Sequence, residues 1–263
     1  MISLDLAPAW MAPYRETAAR VLARMHVGDS VAAALNAELD AQFAVSGIGL
    51  AAGPLRFVPV SPASQGEAYE SFIVRTASVP TRDNLHDLLN GLVWLRHPAL
   101  KRWMNERQAA ELAHRGVGAR RGAVRDALTL LDENGACLRA PRALIDVLIR
   151  RDWRAAFVTH RAAWREADLT LVGHALLEKL AQPRKAITAH VWMIESGTSD
   201  VSLDPADAIA QRAAFDKAAD LTPHAVLPVL GVPGWWPDNE LAGFYEDTAV
   251  FRPTPLALGA DRQ

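Results

Sequence analysis

The chain has 263 residues, half of them hydrophobic and 22% charged, with 16 glycines, 16 prolines and a formal net charge of −2. That balance excludes a disordered chain, a collagen-like fibre and a globally basic nucleic-acid coat. No stretch reaches the roughly 18–20 apolar residues of a membrane span, since the most apolar candidate, residues 43–55, is broken by Gly47, Gly49, Gly53 and Pro54.

Taken in chain order, apolar spacing predicts helices over Tyr14–Met25 and Ser30–Phe43, with Ser30 as the N-cap of the second. Arg56–Val60 and Ala68–Arg75 are rich in β-branched and aromatic residues and predict short strands around a Ser61–Gly66 loop. Pro80-Thr81 is expected to open a long helix, capped by Thr81, favoured by Asp83 and lined by Leu85, Leu88, Leu89, Leu92 and Leu95. Pro98 ends it, and a second helix runs over Ala99–Ala113 into a Gly/Arg loop, His114–Gly122. Leu128–Leu131, the Asn134-Gly135 turn and Ala136–Leu138 read as a strand, a turn and a second strand. Helices follow at Pro141–Arg150, Asp152–Arg165 and Leu169–Ala181, then a strand at Ala186–Glu195, a turn-rich connector at Ser196–Ala206 and a last helix at Pro205–Ala219. From about 221 a proline- and tryptophan-rich strap closes the chain, with Asp238 and Asn239 at its turn. Helices outnumber strands and the strands pair locally, so the expected class is α+β: a mostly helical single domain over 1–263 with short antiparallel strand pairs.

One cysteine, Cys137, predicts no internal disulfide and a buried, inert thiol, and it fits a reducing compartment. The N-terminal stretch carries Asp5, Arg15, Glu16 and Arg20 where a signal peptide needs an apolar core, so a cytoplasmic protein is expected, with no membrane partner. Basic charge is nearly all guanidinium, 24 arginines to four lysines, and residues 96–165 hold 15 basic and seven acidic groups. Such a surface suits an anionic partner such as nucleic acid; the plainer reading interleaves the charges with the acidic remainder of the fold.

Standard motifs fail. Gly47, Gly49 and Gly53 precede Pro54, where a phosphate-binding helix would have to begin. No Walker lysine motif, G-x-S-x-G elbow or H-E-x-x-H occurs.

What remains is polar residues at helical spacing. His86 and Asn90 are i, i+4 neighbours beside a leucine stripe, with Asp87 one step round the helix. His174 and Glu178 repeat that spacing in an apolar helix, and His190 sits in an apolar strand on one face with Thr188 and Trp192. An imidazole and a carboxylate four residues apart can share a metal ion, or the carboxylate can orient the imidazole. Arg125-Asp126 and Asp132-Glu133, flanking the expected hairpin strand, offer further carboxylates. Each residue alone is also explained by local helix pairing or a satisfied core position. Three such histidines in apolar surroundings are better explained by one shared site. His26, His97, His114, His160 and His224 read as surface groups.

The run Val79–Leu95, with the strings Arg125–Gly135, Gly173–Leu180, Pro233–Trp236 and Val250–Pro253, resembles an uncharacterised proteobacterial family, the domain of unknown function 3025. The resemblance covers about Tyr69 to Pro253 and implies a single-domain protein but no activity. Leu88 and Leu89 stand where that family carries phenylalanines after the His-Asp pair, a packing change. Family members have been described as membrane proteins, which the short apolar runs here oppose.

The leading functional expectation is a hydrolase-type enzyme acting on an anionic small molecule. His86, Asp87 and Glu178 are its catalytic groups, and His86, His174, Glu178 and His190 ligate a divalent metal. Arg82, Asn90, Arg125 and Arg184 are the substrate-binding candidates. The alternatives are the arginine-rich binding surface over 96–165, and a scaffold or small-ligand module whose histidines are satisfied core groups.

Overall fold

The computed structural model describes residues 2–42, 48–115, 122–197, 204–215 and 221–253. Helices α1 (Arg15–His26) and α2 (Val31–Gln42) form where periodicity places them. Ser30 Oγ accepts the Ala33 amide at 3.2 Å, whereas Asp83, expected to serve the helix after it, instead accepts the first α2 amide, from Val31, at 2.8 Å. Gly49 and Gly53 belong to a small hairpin of β1 (Gly49–Leu50) and β2 (Gly53–Pro54), while Gly47 lies outside the described residues.

Strand β3 (Arg56–Pro59) is followed by a single turn, α3 (Pro62–Gln65), inside the expected loop. Helix α4 (Tyr69–Thr76) replaces the strand expected at Ala68–Arg75. Its β-branched and aromatic content suggested a strand, but Tyr69, Phe72, Ile73 and Thr76 repeat at i, i+3, i+4 and i+7, with Phe72 and Ile73 buried, and α4 packs on the long helix α6 (Pro98–Arg115). Thr81 ends strand β4 (Ser78–Thr81) instead of capping a helix. The cap of α5 (Leu85–Arg96) is Asn84, whose Oδ1 accepts the Asp87 amide at 2.7 Å.

Helix α7 (Ala123–Asn134) replaces the first strand of the expected hairpin, burying Leu128 and Leu131 on one stripe, and Asn134-Gly135 becomes the junction into strand β5 (Gly135–Ala140). Helix α8 (Arg142–Ile149) stands as expected; the helix predicted at 152–165 is instead a π-turn (Ala155–Thr159) and a 3₁₀ turn (Arg161–Arg165). The helix predicted from Leu169 splits into strand β6 (Asp168–Leu171) and α9 (His174–Leu180). Strand β7 (Thr188–Glu195), helix α10 (Pro205–Phe215) and strand β8 (Ala225–Pro228) complete the order. Residues 116–121 of the Gly/Arg loop, 198–203 of the connector and 216–219 of the last predicted helix lie outside the described residues.

The mostly helical α+β class holds, but not every strand is in a local hairpin. The main sheet runs β6-β5-β7-β8, and β5 pairs with β7 in parallel, Gly135 opposite His190, as β3 does with β4. Parallel neighbours need a crossover, and here the intervening chain supplies helices. Buried apolar residues form one contiguous cluster, in which the α5 leucines 88, 89 and 92 and Trp94 are at most 1% exposed. His97, read as a surface residue, is wholly buried between α5 and α6, its ring edge-on to Tyr14. Among the described residues no helix is long and apolar enough to cross a membrane.

In the segment after β8, Asn239 is fully buried and donates to the carbonyls of Leu230 and Val232, and Tyr245 donates from its hydroxyl to Gly231. Phe157, Tyr245 and Phe251 pack ring on ring beside them.

Candidate metal centre

Three helix ends converge. His86 is the second residue of α5, His174 the first of α9, and Glu133 the last but one of α7. Gly173 makes that convergence possible. A Cβ at Gly173 would stand 2.5 Å from the Gly135 amide nitrogen and 2.6 Å from that of Asn134, both backbone atoms. Only glycine lets the chain entering α9 lie this close to the α7–β5 junction. Gly135 O accepts the amides of both Val172 and Gly173, which fixes the approach.

In the site itself, His86 Nε2 and His174 Nε2 face each other at 3.0 Å, and Glu133 Oε2 is 3.7 Å from His174 Nε2. One donor atom from each of the three side chains lies within 4.8 Å of the others. At 3.0 Å the two nitrogens are within hydrogen-bond distance, and a small outward shift would reach the roughly 3.3 Å that separates two imidazole nitrogens on one tetrahedral ion. His86 and Glu133 are partly open to solvent while His174 is buried.

Second contacts set the protons. Glu178 Oε2 lies 2.8 Å from His86 Nδ1. A carboxylate only accepts, so Nδ1 carries a proton and Nε2 is the nitrogen that faces the site. Glu178, expected as a ligand, stands at the remote nitrogen of His86, and it is Glu133 that lies with His86 and His174 in the group of possible donors. His174 Nδ1 is buried without a hydrogen bond, with Asp132 Oδ1 3.9 Å away.

Asp132 is in turn bonded by the buried Lys101 ammonium, which also donates to Asn90 Oδ1 at 2.7 Å; Asn90 donates to the Tyr69 hydroxyl at 3.0 Å. A continuous polar chain therefore runs from α4 through α5 and α6 to Asp132 beside the centre.

The electrostatics favour a cation. Burial lowers the His174 pKa to about 4, with Asp132 opposing and Lys101 and His86 adding to the fall, so the ring is neutral at ordinary pH. Burial would raise Asp132, but Lys101 and then His174 outweigh it and hold the carboxyl below its usual range. Glu133 is raised, by burial first and then by Asp132. Lys101 already compensates Asp132, whereas Glu133 sits in the last turn of α7, where the helix dipole disfavours negative charge, and a bound cation would offset that cost.

Other sequence-predicted residues lie apart from this trio. Asp87 is occupied in its own loop, where its Oδ2 accepts the Arg82 amide at 2.6 Å and the Arg82 guanidinium stands 3.5 Å away. His190 is not in the cluster: its Nδ1 meets Asn134 Nδ2 at 3.2 Å, and Asn134 Oδ1 accepts from Lys179. Burial and then Lys179 lower its pKa. Asn90 joins the site only through Lys101. Arg125 lies along α7 with its buried Nε unbonded, and Arg184 is exposed in the α9–β7 loop. Sequence reasoning had Glu133 and Asp132 only as flanking carboxylates and missed Lys101. The available signal was one of just four lysines lying in an apolar helical run, beside Leu100 and Met104.

The family model described as protein of unknown function (DUF3025) matches residues 55–255. The chain belongs to that family. His86, Lys101, Asp132, Glu133, His174 and Glu178 of this DUF3025 chain all fall inside the matched segment. No curated protein and no solved structure matches it.

Proposed function

We propose that this DUF3025 protein is a metal-dependent hydrolase in which His86, His174 and Glu133 hold one divalent ion. The observation that carries this reading is the 3.0 Å approach of two Nε2 atoms, with a carboxylate oxygen 3.7 Å from one of them. Two imidazoles and one carboxylate are the ligand set of catalytic zinc, which keeps a further position for water. An ion there lowers the pKa of its water toward neutrality and supplies a nucleophile. Glu178 and Asp132 are placed to orient the two rings. Lys179, which donates to Asn134 Oδ1 next to Glu133, suits an anionic substrate group.

The arginine-rich surface has less support as a nucleic-acid site. Arg96 pairs with Asp204, Arg107 with Glu111, Arg142 with Asp146 and Arg161 with Glu240, so these guanidinium groups are partly neutralised in place. A cytoplasmic setting belongs to the proposal and is supported by the single, buried Cys137 thiol.

The test is elemental analysis of the purified protein, followed by zinc titration of chelator-treated wild type and His174→Ala. One equivalent of zinc, lost in the variant while its circular dichroism spectrum is kept, supports the reading. Protein that binds no divalent ion overturns it, and iron in place of zinc would turn the assignment from hydrolysis to oxygen chemistry.

A further inference from the structure

Helix α9 carries His174 at its first residue, and its last turn borders a cavity of about 280 Å³ on the N-terminal side of the fold. Its walls are aromatic: Trp10 and Trp235, with ring centroids 6.1 Å apart and planes inclined at 51°, together with Trp236. Leu177 and Leu180 of α9 contribute apolar surface, and Asp5 is the one charged side chain among the described residues lining the cavity; no lysine, arginine or histidine lines it. Trp236 donates its indole N–H to Asp238 at 3.3 Å, so its polar edge is engaged within its own loop.

Tilted indole faces this close can both lie within about 6 Å of one cation, and indole is the best cation–π partner among side chains. An anion would meet the negative ring faces and Asp5 without a compensating positive group. A bare metal ion would lack the oxygen ligands needed to replace its hydration. Asp5 is exposed and its Oδ1 accepts the Ala7 amide at 2.9 Å, and a neutral apolar ligand would make no use of its charge. We propose that this cavity binds a compact organic ammonium ion, of the quaternary or multiply methylated amine class, with the rings around the alkylated head and Asp5 as counter-charge. The site shares no residue with the metal centre, so the two readings stand or fall separately.

The probe is choline, paired with its neutral carbon analogue 3,3-dimethylbutan-1-ol, titrated into the full chain by calorimetry and saturation-transfer NMR. Choline is expected to bind saturably and about tenfold more tightly than the alcohol. The exposed Asp5→Asn change is expected to weaken choline about fivefold and leave the alcohol unchanged, at the scale of one partly screened charge. Trp236→Leu, its fold checked by circular dichroism, is expected to weaken choline more than the alcohol. Equal binding of the two probes, or no saturable choline binding up to tens of millimolar, overturns the proposal. So does a proline-rich peptide that occupies the cavity while choline does not.

Discussion

Glu178 Oε2 and His86 Nδ1 meet at 2.8 Å across a sequence separation of 92 residues, joining α9 to α5 beside the candidate ion site. A carboxylate at Nδ1 fixes the tautomer and raises the basicity of Nε2. Glu178→Ala is therefore expected to weaken zinc binding about 10–100-fold. Because the carboxylate is partly exposed, the melting temperature should hardly change. Competition with a chromophoric chelator measures the first, and differential scanning fluorimetry the second. Unaltered affinity would mean that Glu178 is only a surface partner.

Lys101 is 4% exposed and bonded to both Asn90 and Asp132. Removing one member of a buried pair leaves the other charge uncompensated, which costs roughly 3–5 kcal/mol. Lys101→Met is thus expected to destabilise the fold strongly, while Lys101→Met/Asp132→Asn should recover part of the loss. Urea unfolding of wild type, both single variants and the double variant gives the coupling. Additive losses would show that the two side chains do not act as a pair.

The candidate site was half legible in the sequence, for a local reason. His86, His174 and Glu178 stand out because they lie beside leucine stripes, although periodicity starts both helices too early, over Thr81 and over β6. Glu133 was hidden by its neighbours: Leu128–Leu131 followed by Asn134-Gly135 imitates a hairpin, and only the packing of Leu128 and Leu131 makes the segment helical. Asp87 looked catalytic beside His86, yet the turn into α5 needs its carboxylate to hold the Arg82 amide. His190 looked like a third ligand, but β7 pairs in parallel with β5, and the register places it opposite Gly135, where Asn134 takes its ring. Parallel pairing is long-range information that no local pattern carries.

Gly173 is the clearest single-residue test of how the centre is assembled. An added Cβ would meet backbone nitrogens at 2.5 and 2.6 Å, and backbone cannot swing aside as a side-chain tip can. Gly173→Ala is expected to cost more than the roughly 1–3 kcal/mol of ordinary overpacking, and to abolish stoichiometric zinc binding by moving His174 away from His86. Thermal unfolding and metal titration of the same sample check both halves. A variant of unchanged stability that still binds one zinc would show that the junction has slack.

His97 sets an acid limit on the fold. It is wholly buried and neither ring nitrogen has a hydrogen bond; Asp204 Oδ1, 3.4 Å from Nδ1, accepts the Ala206 amide instead, while Asp204 Oδ2 accepts from Arg96. Burial, and then Arg96, bring its pKa down from 6.5 to about 3. Between those values the unfolded chain binds a proton that the folded chain refuses. Stability therefore falls as pH drops through this window, by up to roughly 1.4 kcal/mol per pH unit from this group. His97→Leu removes that linkage. In chelator-containing buffer its stability relative to wild type is expected to rise steadily from pH 7 to pH 4, by urea unfolding at each pH. His174 and His190 titrate in the same direction in both proteins, so the difference between the two curves isolates His97. Parallel curves would mean that the buried ring gains a proton inside the fold, with Asp204 turning to meet it.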